Sequence, residues 1–255
     1  MSELIIVSNR LPVSVRKTDK GIEIYPSSGG LATGLSGYTK RRGTKWIGWP
    51  GLPSDTLTQA DREQIAVKLK CYRCYPVFIT EKQVDAYYNG YSNSVLWPSF
   101  HNLPVHGGDT ERNWQAYQAV NRLFAEAALR LSKPGSTIWV HDYQLFLMPQ
   151  LLRAERPHDH IGFFLHIPFP AYDTFKANRH AVSLLGGVLG ADLIGFHTNS
   201  YTKNFLKSCR EFGVGDVAGD HVVLPGRVAR AAEFPMGIDY FKFAHAARQR
   251  QVRVE

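Results

Sequence analysis

The segment Gly162 to Pro170 reads G-F-F-L-H-I-P-F-P, and it limits the fold more than any other stretch of the chain. The uninterrupted apolar run Phe163-Phe164-Leu165 reads as a buried strand. It ends in His166 and then in a stiff turn from Pro168 to Pro170. In open α/β sheets the carboxyl ends of the strands are where ligands bind. An apolar strand, a polar side chain at its tip and a rigid loop therefore hand one imidazole to a cleft. The same order occurs upstream, where Thr137 to Val140 (T-I-W-V) runs into His141-Asp142-Tyr143. Two strand tips that each deliver polar groups point to one shared site.

The remaining pattern is an alternation of strands and helices. Leu4 to Ser8 is a short continuous apolar strand of the kind found in a parallel sheet covered on both faces. Pro12 and the turn at Asp19-Lys20-Gly21 predict a hairpin returning through Ile22 to Tyr25. A loop at Ser27-Ser28-Gly29-Gly30 leads to a helix over Leu31 to Arg41. Further strands are expected at Lys45 to Trp49, Cys71 to Ile79, Ile161 to Leu165, Leu193 to Phe196, Val222 to Leu224 and Val228 to Phe234. Helices are expected at Ser54 to Leu69, Glu81 to Tyr88, Leu145 to Glu155, Asp173 to Leu189 and Asn199 to Phe212. The longest helix, Asn113 to Leu131, places Trp114, Tyr117, Val120, Phe124 and Leu131 at helical spacing. Strands separated by helices imply a doubly wound, mainly parallel, Rossmann-like sheet with helices on both faces. No internal repeat or linker divides the chain, so one domain over residues 1–255 is expected.

Composition narrows the function classes. A chain of 255 residues with 44% hydrophobic and 20% charged residues can bury a large core. Its net charge of +8 is scattered, with clusters only at Lys40-Arg41-Arg42 and in the Arg248 to Arg253 tail. No nucleic-acid-binding motif accompanies the charge, whereas a positive cleft suits phosphorylated or nucleotide substrates. Cys71, Cys74 and Cys209 form neither a disulfide framework nor a zinc set, which points to a reduced, cytoplasmic protein. The apolar run Leu4 to Val7 is too short for a signal peptide, and no segment has the length of a membrane helix.

Three further features bear on chemistry. Ser27 to Gly34 (S-S-G-G-L-A-T-G) puts a Gly-Gly pair before a helix, where backbone N–H groups can approach an anion. Read alone it is also a plain structural turn, since it has neither the Lys-Ser/Thr of a P-loop nor a dinucleotide fingerprint. Arg10, just past the first strand, can grip a phosphate bidentately or stand as an exposed loop arginine. Aromatic residues gather in Gly/Pro-bounded segments, W-I-G-W-P-G from Trp46 to Gly51 and Y-Y-N-G-Y from Tyr87 to Tyr91. Such rings pack in cores or against the C–H faces of sugars. Asp142 is a candidate acceptor of hydrogen bonds or of a proton, and His166 a candidate donor to a sugar oxygen or a developing charge; the lesser alternative makes each a satisfied cap. His101, His106, His141 and His197 lack a flanking pattern that singles them out, and no metal-ligand set is evident.

The motifs S-N-R-L-P (Ser8 to Pro12), S-G-G-L (Ser28 to Leu31), W-I-G-W-P-G, Y-Y-N-G-Y-S-N-S-V-L-W-P (Tyr87 to Pro98), W-V-H-D-Y (Trp139 to Tyr143), G-F-F-L-H-I-P-F-P and F-P-M-G-I-D (Phe234 to Asp239) together resemble the trehalose-6-phosphate synthases. The resemblance runs in family order along essentially the whole chain. It implies the N-terminal half of a B-type glycosyltransferase fold and transfer of glucose from UDP-glucose to glucose 6-phosphate with retention, without a metal or other cofactor. It further implies that Arg10 grips the acceptor phosphate, that Tyr88 and Asp142 are acceptor contacts, and that Gly29 and Gly30 flank the donor diphosphate. Trp97 and Ile167 would shape the anomeric pocket, and His166 would lie near the donor glucose. One of Trp46 and Trp49 would be an acceptor-side tryptophan, the motif alone not saying which. The implied mechanism is front-face displacement, in which a phosphate oxygen of the leaving group takes the proton and the protein positions both substrates.

The family continues into a second α/β domain that holds the donor nucleotide. The resemblance therefore implies the acceptor half, with weak glucose 6-phosphate binding and little turnover on its own. A C-terminal half or a full-length synthase would be its partner, and exposed apolar surface would favour a homo-oligomer. Neither a nucleic acid nor a membrane is expected as a partner. Two alternatives stand beside this: a non-catalytic sugar-phosphate-binding or regulatory module, and a related glycosyltransferase using another nucleotide sugar.

Overall fold

The computed structural model describes residues 3–27, 30–35, 43–237 and 240–248. Nine strands form one sheet: β1 (Leu4–Arg10), β4 (Thr44–Trp49), β5 (Cys74–Pro76), β6 (Thr137–His141), β7 (His160–Phe164), β8 (Leu193–Phe196), β9 (Asp216–Ala218), β10 (His221–Leu224) and β11 (Arg227–Glu233). Their order is β5-β4-β1-β6-β7-β8-β11-β10-β9, parallel from β5 to β11 and antiparallel at β10 and β9. The strands β2 (Val13–Thr18) and β3 (Gly21–Pro26) form the separate expected hairpin. The chain builds outward from β1 through β4 to β5, then crosses back to lay β6 on the other side of β1. That reversal opens a crevice between the tips of β1 and β6, where doubly wound sheets bind ligands.

Alternation of side chains across the strands divides the core in two. Ile5, Val7, Ile47, Trp49, Ile138, Val140, Phe163 and Ile194 face the larger core, which is closed by helices including Glu111–Leu131, Met148–Glu155, Ala181–Val188 and Asn199–Glu211. Ile6 and Trp46 face a smaller core with the β2–β3 hairpin and the helix Gln59–Lys70. That second layer covers the β1, β4 and β5 side. Over β6, β7 and β8 the same face bounds a cavity of about 340 Å³ lined by Trp139, His141, Phe164, His166 and Met236, among others. Helix starts follow their caps: Thr58 with Asp61 and Thr80 with Gln83 form capping boxes, and Thr110 and Thr198 accept from the N3 amide.

Several expectations differ from the structure: the helices expected at Ser54 to Leu69 and Leu145 to Glu155 begin later, at Gln59 and Met148, each after a short 3-10 turn, and three elements change more. The strand over Cys71 to Ile79 shrinks to Cys74–Pro76, because residues 71–73 turn and Arg73 takes a positive φ of 53°. The helix over Asp173 to Leu189 breaks into Tyr172–Phe175 and Ala181–Val188, with the Asn178 side chain accepting from the His180 amide at 2.8 Å between them. The helix after Thr80 runs on past Tyr88 as a π-helix, Val84–Leu96, before an α turn at Trp97–Phe100. Runs of π-helix are rare and cluster at functional sites. This one buries Tyr87 and Tyr91 against Tyr117 of the long helix and leaves Tyr88 half-buried. The helix over Leu31 to Arg41 is described only as Gly30–Gly34, and Gly29 and the tail beyond Arg248 lie outside the described residues.

Candidate functional site

The site is built along the carboxyl edge of the sheet from strand tips and the loops after them. Arg10 closes β1 with its side chain exposed, and its guanidinium carbon stands 4.8 Å from the ring centre of Trp49 at the tip of β4. This is cation–π distance. Trp49 is 4% exposed, donates its indole N–H to the Leu52 carbonyl at 3.0 Å, and meets the edge of Tyr88 with ring centres 6.1 Å apart. Arg10, Trp49 and Tyr88 therefore form one stack. Gly51 makes the close approach possible: it has φ of 99°, and a Cβ added there would lie 2.5 Å from an Arg10 guanidinium nitrogen. Trp46 is not part of the stack. Its indole N–H donates to Ser8 Oγ at 2.7 Å within the smaller core, on the opposite face of the sheet.

Asp142 follows β6 with φ of 76° and ψ of 169°, a conformation that costs a residue bearing a Cβ. Three hydrogen bonds hold it there. Its amide donates to the Phe164 carbonyl at 2.8 Å, its carbonyl accepts from the Leu145 amide at 3.1 Å, and its Oδ1 accepts from the His166 amide at 3.1 Å. The tips of β6 and β7 are thus tied together through the two residues read as functional. Burial raises the Asp142 carboxyl to about 6, against the partial relief given by the His166 and Tyr143 main chains.

Tyr143 joins the two groups. Its hydroxyl donates to Asn93 Oδ1 at 2.8 Å in the π-helix, and its phenol is pushed up by burial first, then by Asp142 and by Tyr88. Tyr87 donates to Asn9 Oδ1 at 3.0 Å, tying the π-helix to the residue before Arg10. The sequence motifs bring Arg10, Trp49, Tyr88, Asp142 and His166 to one edge by this route. Ile167 follows His166 and packs partly buried against the larger core. Trp97 is 40% exposed with its ring against His101 at 4.2 Å between centres. Gly30 opens the short helix Gly30–Gly34.

His141 and His197, which no flanking sequence pattern singles out, stand beside His166. His141 is fully buried with its Nδ1 2.9 Å from His166 Nε2, and the His197 ring centre lies 5.6 Å from that of His166. His166 is pushed down to about 3 by burial and then by His197. All three imidazoles are therefore held neutral near pH 7, since His141 and His197 are also lowered, chiefly by burial. Among the described residues no three His, Cys, Asp or Glu side chains are placed to hold a metal ion. Strand parity puts His141 on a sheet face, but its partner lies too far along the chain for any local signal.

The strand order, the switch-point crevice and the edge-mounted site define the N-terminal half of a B-type glycosyltransferase fold. The profile of glycosyltransferase family 20 matches residues 2–255, and the chain belongs to that family. A UDP-forming alpha,alpha-trehalose-phosphate synthase of Botryotinia fuckeliana is 41% identical over 98% of this chain and 49% of its own length. Synthase A of Dictyostelium discoideum is 41% identical over 98% of this chain and 34% of its length. Among solved structures, the Candida albicans trehalose-6-phosphate phosphatase N-terminal domain is 30% identical with a TM-score of 0.83, covering 100% of this chain and 52% of that one. An E. coli protein of trehalose-6-phosphate synthesis solved with UDP-2-fluoro glucose is 29% identical with a TM-score of 0.78, covering 97% and 52%. The chain spans about half the length of the curated relatives from fungi. No helix among the described residues is long and apolar enough to cross a membrane.

Proposed function

We propose that this chain provides the acceptor side of a trehalose-6-phosphate synthase, which transfers glucose from UDP-glucose to glucose 6-phosphate with retention. The observation that carries this reading is the stack of Arg10, Trp49 and Tyr88 at the β1 and β4 tips, beside Asp142 at the neighbouring β6 tip. An exposed guanidinium next to a switch-point crevice suits a phosphate, and a carboxylate one strand away suits the hydroxyls of the same hexose. The relatives named as UDP-forming synthases support the donor and the product. Trp49 is the acceptor-side tryptophan in this reading.

Gly30 and His166 lie toward the donor, with Trp97 and Ile167 bounding the anomeric pocket; Gly29, outside the described residues, is assigned to the donor from its motif alone. The acceptor hydroxyl attacks on the face from which the diphosphate leaves, and a diphosphate oxygen takes its proton. The chain's own contribution is position and neutral hydrogen bonding, which requires no protein nucleophile. The donor nucleotide would be held by a second domain, so residues 1–255 act as one N-terminal domain that works together with a C-terminal half.

A second reading is a non-catalytic sugar-phosphate-binding module, favoured by the likeness to the Candida albicans phosphatase N-terminal domain. Calorimetric titration with glucose 6-phosphate, on the parent and on Arg10→Ala, tests the acceptor assignment common to both. Equal affinity in the two proteins overturns it. Turnover of UDP-glucose with and without an added C-terminal half separates the readings: restored turnover supports the split enzyme, and binding without turnover supports the module.

A further inference from the structure

The hydrogen bond between His141 and His166 has a direction, and its surroundings decide it. His141 is fully buried, and its Nε2 is buried with no partner among the described residues. Its Nδ1 lies 2.9 Å from His166 Nε2. The rings of Trp139 and Phe164 lie tilted against the two imidazoles, with centres 4.4 Å from His141 and 4.7 Å from His166. Burial keeps both imidazoles neutral, so each carries a single proton on one of its two nitrogens.

Two arrangements satisfy the bond. In the first, His166 Nε2–H donates to His141 Nδ1. His141 must then carry its own proton on Nε2, leaving a buried N–H with nothing to accept it. In the second, His141 Nδ1–H donates to His166 Nε2. His141 Nε2 then holds only a bare lone pair, and the His166 proton must sit on Nδ1. A buried N–H without an acceptor is the rarer and costlier defect. His197 stands farther off, with its ring centre 5.6 Å from that of His166.

We propose that His141 is a positioning residue that fixes His166 in its Nδ1–H form, so that His166 offers the cleft one hydrogen-bond donor and no acceptor. This rests on the reading of His166 as a sugar-facing group: a donor in that place selects a sugar oxygen with a free lone pair. His141 touches no substrate and acts only through the second ring, as the outer partner of a metal-bound histidine does when it sets the tautomer.

The test is the imidazole nitrogen spectrum of the 255-residue chain labelled with ¹⁵N-histidine, in which long-range proton–nitrogen couplings tell the two tautomers apart. His166 is expected as pure Nδ1–H near neutral pH. A pure Nε2–H form, or an average of the two, overturns the inference. In His141→Leu the single form is expected to be lost to averaging, and an unchanged His166 pattern overturns the inference as well. In His141→Asn the amide nitrogen can occupy the place of Nδ1 and donate to His166, so the Nδ1–H form is expected to be retained; its loss counts against the inference. Should the Leu variant fail to fold, the parent spectrum and the Asn variant still decide. The Arg10→Ala titration judges the functional reading separately, so either can fail while the other stands.

Discussion

The two halves of the edge solve opposite problems. At β1 and β4 a full charge stays in water: Arg10 is exposed, and Trp49, itself held edge-on by Tyr88, gives it a fixed seat. At β6 and β7 the polar groups are withdrawn from water, His141 fully and Asp142 and His166 in large part, and their chemistry follows from that. Asp142 is raised to about 6, His166 falls to about 3, and His141 is lowered well below the usual histidine range. A phosphate needs a counter-ion that remains charged at every pH of interest, which a solvated guanidinium supplies without a desolvation cost. A neutral sugar needs oriented donors and acceptors, and buried imidazoles supply those without placing a net charge beside the anomeric carbon. The contrast assigns phosphate recognition to one half and hydroxyl recognition to the other.

Removing the charged member should break the contrast most strongly. Arg10→Ala is expected to lower glucose 6-phosphate affinity on the order of 100-fold, or about 3 kcal/mol, the scale of a charge-assisted bidentate contact. Affinity for unphosphorylated glucose should change little, because only the phosphate loses its partner. Titrations of the two sugars against parent and variant measure this. An equal loss for both would mean that Arg10 supports the site as a whole.

Much of this division can be read from side-chain alternation. His166 directly follows a continuous apolar run, and Arg10 and Asp142 follow one after two polar residues and one polar residue respectively, so strand-tip logic locates them without knowledge of the sheet order. Trp46 and Trp49 are three residues apart in one strand and must therefore point to opposite faces. Which face carries the site depends on where β1 and β6 meet, and that is a property of the whole sheet. The π-helix left no local trace: Thr80 caps only the α turn Glu81–Gln83 before it, and its register is set by Tyr87 and Tyr91 packing on Tyr117 and by Tyr91 on Trp114. The His141–His166 pair is equally silent in the sequence, because 25 residues separate its members and only the β6–β7 register brings them together.

The desolvated half makes a prediction in pH. Asp142 titrates at about 6 in the fold against a usual 3.8, so between those values the folded state binds more protons than the unfolded chain. Its contribution to stability therefore declines as pH rises through that window, by about 2 kcal/mol in all. The lowered His141 and His166 act in the opposite sense. The unfolded chain takes up their protons first, so their contribution grows as pH rises toward the usual histidine value of 6.5. Asp142→Asn keeps an oxygen for the His166 amide and removes the opposing slope. The stability gap between variant and parent, read from urea midpoints, should shift in favour of the variant by about 2 kcal/mol from roughly pH 4 to roughly pH 7. A gap that stays flat across the window would place the Asp142 carboxyl in water.

The smallest expected effect sharpens the boundary between the halves. Trp49→Phe keeps a ring under Arg10 and an edge for Tyr88, but it weakens the cation–π seat and loses the N–H bond to Leu52. Glucose 6-phosphate affinity should fall about 3- to 5-fold, near 1 kcal/mol, with the loss again confined to the phosphorylated sugar. The matching change on the opposite face, Trp46→Phe, removes the bond to Ser8 and is expected to cost stability without altering the affinity of the folded protein. Because both changes delete an indole N–H from the same strand, the pair separates a seat for the guanidinium from ordinary core packing. If Trp46→Phe weakened sugar-phosphate binding as much as Trp49→Phe, the stack of Arg10, Trp49 and Tyr88 would be a by-product of packing in β4 and not a recognition element.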